Sequence, residues 1–287
     1  MTPAAPTGAV ADVNATDPAT PPQDAQNSNP VPVGGAADTT QPSPSTRGAE
    51  PGSARSAEVA AVFDELAPVH DRLATLLSLG LDRRWRSAAV AEAWLTSGDS
   101  AIDVAAGTGR LAAELADRVG PFGRIVAVDL SPAMVDRGAA RARDIVQLEF
   151  VLADALALPY DDGRFGAATI AFGLGTLADP AAGLRELRRV VRPGGRVVCL
   201  EPTMPTPRWW GRIQHRAARR IAPLAVSVAA RRDAYRRLTE LVRNVPDADS
   251  LADLMGATGL VDVEYRRLGL GAVALHSGTV PPGRGAA

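Results

Sequence analysis

Gly107-Thr108-Gly109 stands directly after the short apolar run Ala101-Ile102-Asp103-Val104-Ala105 and ahead of a stretch with helical periodicity. Glycine lets a ligand approach the backbone, and free N–H groups at a helix start favour anionic or polar ligand groups. With Ala112 the loop satisfies G-x-G-x-x-[GA], a pattern shared by NAD and other adenosine-containing cofactors. Asp129 closes the next apolar run, about twenty residues on, where a carboxylate accepts hydrogen bonds from ribose hydroxyls. Asp154, followed by Ala155, comes just after a third run, where its side chain could meet an adenine amino group; the same residue type also caps helices and turns. Asp103 is an acid inside an apolar run. Unpaired burial there costs several kcal/mol, and a charged ligand group is one way to satisfy it.

These residues need strands that end at them and helices that start behind them. Apolar runs fall at 101–105, 125–128, 150–152, 167–172 and 197–200, with helical patterns at 111–119, 132–143 and 180–191 between them. Near-continuous apolar strands alternating with helices predict a doubly wound α/β domain, its mostly parallel sheet covered on both faces. Past Asp249, a helix to about residue 257 and strands near 261–266 and 272–276 complete the domain. The turn through Gly269 and Gly271 is so short that this last pair is expected to be antiparallel. Ahead of the sheet, Val59, Val62, Phe63 and Leu66, then Leu73, Leu76 and Leu77, recur at helical spacing around Pro68, and Gly80 closes the run. A third helix at 83–95 carries Trp85, Ala89, Val90 and Trp94 at helical spacing. The organisation expected is a Pro/Ala-rich tail at 1–55, cap helices at 56–97, the α/β domain at 98–280 and a flexible C-terminus at 281–287.

The tail has too few bulky apolar residues to offset ordering entropy and reads as disordered. It lacks the basic start and apolar core of a secretory signal. No later stretch offers the ~18 uninterrupted apolar residues that cross a bilayer, so a cytoplasmic location is expected. Apolar residues at 46% and charged ones at 22% exclude a wholly disordered, collagenous or disulfide-rich chain. The net charge of −1 argues against a nucleic-acid partner. All 31 basic residues are arginine, which excludes lysine Schiff-base chemistry. Three scattered histidines and the single Cys199 leave no His/Cys zinc site and no internal disulfide, so no metal is expected.

In this order the pieces resemble class I S-adenosylmethionine-dependent methyltransferases. More narrowly, the chain from about Val62 to Val280 is similar to the quinone-biosynthesis C-methyltransferases that act on demethylmenaquinol or 2-polyprenyl-6-methoxy-benzoquinol. The stretches that carry the likeness include Phe63-Asp64 with Ala67-Pro68, Asp103 to Gly109, and Asp154-Ala155-Leu156-Ala157-Leu158-Pro159-Tyr160. Further along they are Phe172-Gly173-Leu174, Arg192-Pro193-Gly194-Gly195-Arg196 and Leu200-Glu201. The resemblance implies a Rossmann-like fold, S-adenosylmethionine as cofactor, and a prenylated quinol or other small aromatic as acceptor. It assigns cofactor binding to Gly107, Thr108, Gly109, Asp129, Asp154 and Ala155, with Ala171 beside the cofactor. Five positions depart from the family pattern: Gly175-Thr176 stand for Arg-Asn, Arg110 for Asp, Ala74 for Asn and His70 for Tyr.

Methyl transfer to an aromatic carbon needs in-line alignment, exclusion of water and removal of a phenolic proton. His70, Asp71 and His276 are the candidate bases. His70 and Asp71 are the expected catalytic residues, since an imidazole ordinarily changes charge nearest neutrality. Between Arg208 and Arg237 nine arginines accompany one acid, with Trp209 and Trp210 at the start, a composition that suits an anionic membrane surface. Two other readings of the same residues stay open: a methyltransferase for another small aromatic or polyketide acceptor, and a non-catalytic cofactor-binding or scaffold protein.

Overall fold

The computed structural model describes residues 54–203, 232–241 and 246–282. Three helices come first, α1 (Ala54–Leu66), α2 (His70–Leu77) and α3 (Asp82–Glu92). Then β1 (Ser100–Val104), α4 (Arg110–Val119), β2 (Arg124–Asp129), α5 (Pro132–Arg141) and β3 (Leu148–Leu152) alternate. They are followed by β4 (Phe165–Ala171), α6 (Pro180–Val190) and β5 (Val191–Pro202). The last described elements are α7 (Arg232–Leu241), α8 (Ala248–Ala257), β6 (Val261–Leu268) and β7 (Val273–Thr279). The expected tail up to residue 53, most of the arginine-rich stretch with Trp209 and Trp210, and residues 283–287 lie outside the described residues.

The seven strands form one sheet in the order β3-β2-β1-β4-β5-β7-β6. β1 to β5 run parallel, and β7 lies antiparallel between β5 and β6, as the short Gly269–Gly271 turn requires. The starts of α5 and α6 read directly from the sequence. Ser131 and Asp179 cap α5 and α6, accepting from the backbone N–H of Met134 and Ala182, with proline at the first helical position each time. α4 buries Leu111, Ala112, Leu115, Ala116 and Val119 on one stripe against the sheet. Apolar layers cover both faces: Ile102, Val104, Ile170 and Leu184 belong to one, Ala101, Leu115, Ile125 and Leu200 to the other. α7 packs on α1 through a small cluster of Val59, Val62, Leu66 and Ala234.

Two expectations are corrected. The third helix stops at Glu92, and Trp94 sits beyond it with φ 51°, 66% exposed, beneath the Arg196 guanidinium. Ala54 and Arg55, assigned to the tail, form the first turn of α1.

Strand order reverses between β1 and β4, and in such sheets the crevice beyond the carboxyl ends of those strands is where a ligand sits. The loops after β1 and β4 meet there, so closely that a Cβ on Gly173 would lie 2.5 Å from Ala105 Cβ.

Candidate active site

Beyond β1 the backbone enters the left-handed region at Ala105 (φ 52°), Gly107 (φ 56°) and Gly109 (φ 74°). Ala105 is not a glycine, and Phe172 in the facing loop has φ 60°. Such conformations are strained for residues with a side chain and cluster where a site requires them. Gly109 has no alternative: its Cβ would fall 2.2 Å from Phe150 Cζ. The loop is tied to β2, with Ala106 N–H donating to Val128 O (3.0 Å) and Gly107 N–H to Asp129 Oδ2 (2.7 Å). Asp129 Oδ1 accepts from Ser131 N–H at 2.9 Å. Burial pushes the Asp129 carboxyl upward, and the Ser131 and Gly107 N–H groups oppose that shift.

A cavity opens over this loop. Its floor and one side are Ala105, Gly107, Asp129, Asp154, Ala155 and Ala171, and Phe172, Gly173, Thr176 and Leu177 close another side. The cap supplies the rest: Ser56, Val59 and Phe63 from α1, His70 and Ala74 from α2. Asp154 Oδ1 accepts from Leu156 N–H (2.9 Å), which fixes its side chain at the turn after β3. Carboxylates thus fasten the cap to the sheet. Asp64 of α1 accepts from Ser131 Oγ (2.5 Å) and Ala133 N–H (3.1 Å) at the start of α5. Asp71 of α2 accepts from Thr108 Oγ1 (2.6 Å) and pairs with Arg141 of α5.

The expected site residues therefore separate. His70, Gly107, Asp129, Asp154, Ala155 and Ala171 line the cavity. Thr108 and Gly109 do not: Thr108 is 2% exposed and anchors the loop to Asp71 and Arg141, and Gly109 packs on Phe150. Asp103 does not either. Strand alternation turns it to the face of Ala101, beneath α3 and α4, where Thr169 Oγ1 donates to it at 2.6 Å. Burial raises its carboxyl to about 7, with the Thr169 hydrogen bond opposing the shift, and its position beneath the helices keeps it out of the cavity.

Asp71 as a proton acceptor is also corrected. Burial works to raise its carboxyl, but hydrogen bonds from His70, Thr108 and Arg141, with the Arg141 charge, hold it well below the usual carboxylate range. It faces a second groove, on the far side of α2 from the cavity. What it can do is orient. His70 Nδ1 lies 3.4 Å from Asp71 Oδ1, a long hydrogen bond; with Nδ1–H donating, Nε2 is the basic nitrogen of a ring that lines the cavity. His276 is excluded as a base, being 1% exposed, bonded through Nε2 to Ala248 O and stacked on Tyr265.

Sequence reasoning missed Glu201 and Arg141 as site residues. Glu201, at the end of β5, is 1% exposed, and its Oε1 accepts from Gly173 N–H (3.0 Å) and Leu174 N–H (2.9 Å). It holds the turn that forms the Phe172–Leu177 side of the cavity. An acid closing an apolar strand was the available signal, the same one that singled out Asp103 and Asp129. Of the departures from the family pattern, Ala74 and Thr176 line the cavity, while Arg110 is drawn into an ion pair with Asp82 (2.7 Å).

A sheet of this order with a glycine loop after β1 and an acid at the end of β2 defines a class I S-adenosylmethionine-dependent methyltransferase. A solved methyltransferase of this class from Aquifex aeolicus superposes with a TM-score of 0.51 at 17% identity, covering 68% of this chain and 89% of that one. The chain belongs to the ubiE/COQ5 methyltransferase family, whose description matches residues 52–280. It is 40% identical over 236 residues to a demethylmenaquinone methyltransferase of Clavibacter sepedonicus, covering 82% of this chain and 95% of the relative. It is 36% identical over 232 residues to the ubiquinone/menaquinone biosynthesis C-methyltransferase UbiE of Hahella chejuensis, covering 79% and 93%. Its cofactor is S-adenosylmethionine, and the residues of the cavity fit that molecule: a strained loop open to a ligand, the Asp129 carboxylate for a ribose, and the apolar Leu130 and Ala153 with Asp154-Ala155 for an adenine.

Proposed function

We propose that the chain methylates a ring carbon of a prenylated quinol, with demethylmenaquinol as the acceptor. The observation that carries this reading is the cavity itself, in which His70, the one imidazole among the described lining residues, stands with aromatic and aliphatic walls over the cofactor loop. Conversion to a relative's substrate rests on the 40% identity across nearly the whole of that relative.

S-adenosylmethionine supplies an electrophilic methyl group on a sulfonium. Asp129, the Gly107 loop and Asp154-Ala155 hold the nucleoside end, leaving Phe63, Phe172, Thr176 and Leu177 to hold an aromatic ring. Alignment and the exclusion of water by the cap contribute on the order of 7–11 kcal/mol. His70 Nε2 takes the phenolic proton, so the oxygen lone pair raises electron density on the adjacent ring carbon. With the cofactor bound, the activated ring carbon would take its sulfonium methyl group and leave a neutral thioether; the ring carbon would then lose its own proton to solvent while the His70 imidazolium returns a proton to the ring oxygen, restoring aromaticity. Asp71 stabilises the imidazolium and fixes its tautomer, a contribution of roughly 10²–10⁴-fold for the acid–base step as a whole.

The enzyme works from the cytoplasm at the membrane face that holds its acceptor. None of the described helices is long and apolar enough to cross a bilayer. Purified protein incubated with labelled cofactor and a short-chain demethylmenaquinol under reducing conditions is expected to give ring-labelled product. Tight cofactor binding with no product from this acceptor would refute the quinol reading.

A further inference from the structure

α2 has two working faces. His70 and Ala74 line the cavity, while Arg72, Thr75 and Leu76 line the opposite groove together with Leu79, Arg110 and Arg141. The helix ends in an exposed apolar tip, Leu76 and Leu77 being 39% and 38% exposed and Leu79 72%. Leu79 adopts φ 53° and Gly80 φ 77°. A helix normally places glycine at the first left-handed position after its end, so a leucine there is strained as well as exposed to water.

This tip is rigid. Gly80 N–H donates to Thr75 O (2.8 Å) and Leu79 N–H to Leu76 O (3.1 Å), closing the helix end. Beneath it Ser78 Oγ donates to the buried Asp82 (3.2 Å), which pairs with Arg86 (2.6 Å) and Arg110 (2.7 Å). Around the tip Arg72, Arg83 and Arg84 are exposed. None of the three forms an ion pair with another described residue, whereas Arg110 and Arg141 are neutralised by Asp82 and Asp71. The chain as a whole has net charge −1, so this positive surplus is local.

We propose that the α2–α3 tip is the surface by which the enzyme docks on an anionic bilayer, with Leu76, Leu77 and Leu79 entering the headgroup–acyl boundary and Arg72, Arg83 and Arg84 contacting lipid phosphates. Apolar side chains ringed by guanidinium groups match that boundary, which offers acyl chains below and phosphates above. Unpaired arginines with no carboxylate to satisfy favour phosphate over a protein surface, which presents both signs of charge. The inference deepens the quinol reading: docking by this tip sets the cavity wall formed by α2 against the membrane in which a prenylated acceptor resides.

Co-sedimentation of the full chain with phosphatidylcholine vesicles, with and without a share of phosphatidylglycerol, tests it. The parent is expected to bind the anionic vesicles at least tenfold more tightly than the neutral ones. Leu79→Asn retains a residue tolerant of the left-handed region and is expected to lose about tenfold of that binding. Arg83→Gln with Arg84→Gln is expected to lose about 25-fold, roughly fivefold per charge. Equal binding to both vesicle types, binding to neither, or variants that bind like the parent would overturn the proposal. Turnover of a water-soluble, short-chain acceptor is expected to stay within twofold in all variants. Should the parent fail on that acceptor while its vesicle binding still depends on the tip, the quinol reading falls and the docking surface stands.

Discussion

Glu201 joins the sheet to the cavity wall, and its replacement by Gln and by Leu separates its two properties. Its carboxyl lies among apolar neighbours, and burial raises it from 4.5 to about 8 against the N–H groups of Leu174 and Gly173. Between those values the folded chain holds a proton that the unfolded chain has released. The contribution is therefore complete below pH 4.5 and is lost as pH rises through 8. Glu201→Gln cannot ionise, yet its amide oxygen can still accept from both N–H groups. It should match the parent near pH 5 and exceed it at pH 8 and above, by on the order of a few kcal/mol. Glu201→Leu strands both N–H groups. At about 1–3 kcal/mol each, this variant should be about 2–6 kcal/mol less stable than the Gln variant. For a domain of this size that is roughly 5–20 °C in Tm. Thermal melts of the three proteins across pH 5–9 measure both effects, and since Asp103, raised to about 7, is common to all, its contribution cancels in the comparison. A Leu variant that melts with the Gln variant, or a Gln variant with the parent's pH dependence, would refute the reasoning.

Other outcomes follow from the loop and the cap. Asp129→Ala removes the acceptor of Gly107 N–H and the expected ribose contact, so cofactor Kd measured by calorimetry should rise about 10–100-fold, from about 1.5–3 kcal/mol of charge-assisted hydrogen bonding. Gly109→Ala drives a methyl into Phe150 at φ 74° and should abolish cofactor binding or folding; a variant with parental Tm and Kd would contradict the described loop. His70→Ala should lower kcat about 100-fold or more with cofactor Kd within threefold. In a His70→Ala background, Asp71→Asn should leave kcat within threefold while lowering Tm, because Asp71 acts on the chemistry through the imidazole and on stability through Thr108 and Arg141. A further large loss of kcat would show that Asp71 acts on the chemistry independently of His70.

The sequence by itself determined the order of strands and helices, the parallel sheet with its antiparallel end, and the residues at the strand ends. Those are local properties: apolar runs of strand length, helical spacing, the caps Ser131-Pro132 and Asp179-Pro180, and glycines where the chain turns. Gly107, Asp129, Asp154-Ala155 and Ala171 were legible for the same reason, since in a doubly wound sheet every residue just past a central strand faces one crevice. Which way each side chain points was not legible. Asp103 and Asp129 look alike as acids at strand ends, yet Asp103 pairs with Ala127, two residues short of Asp129 in the register, and is buried beneath α4, while Asp129 reaches the cavity. His70 and Asp71 are neighbours in the chain, yet a step of one helical residue, about 100°, turns one to the cavity and the other to the second groove. Asp71 meets Arg141, Thr108 meets both, and Glu201 meets the turn at Gly173 only because segments far apart in sequence are packed together. Spacing along the chain carries no record of those contacts, and they decide which acid holds a proton, which holds a helix and which is left to meet a ligand.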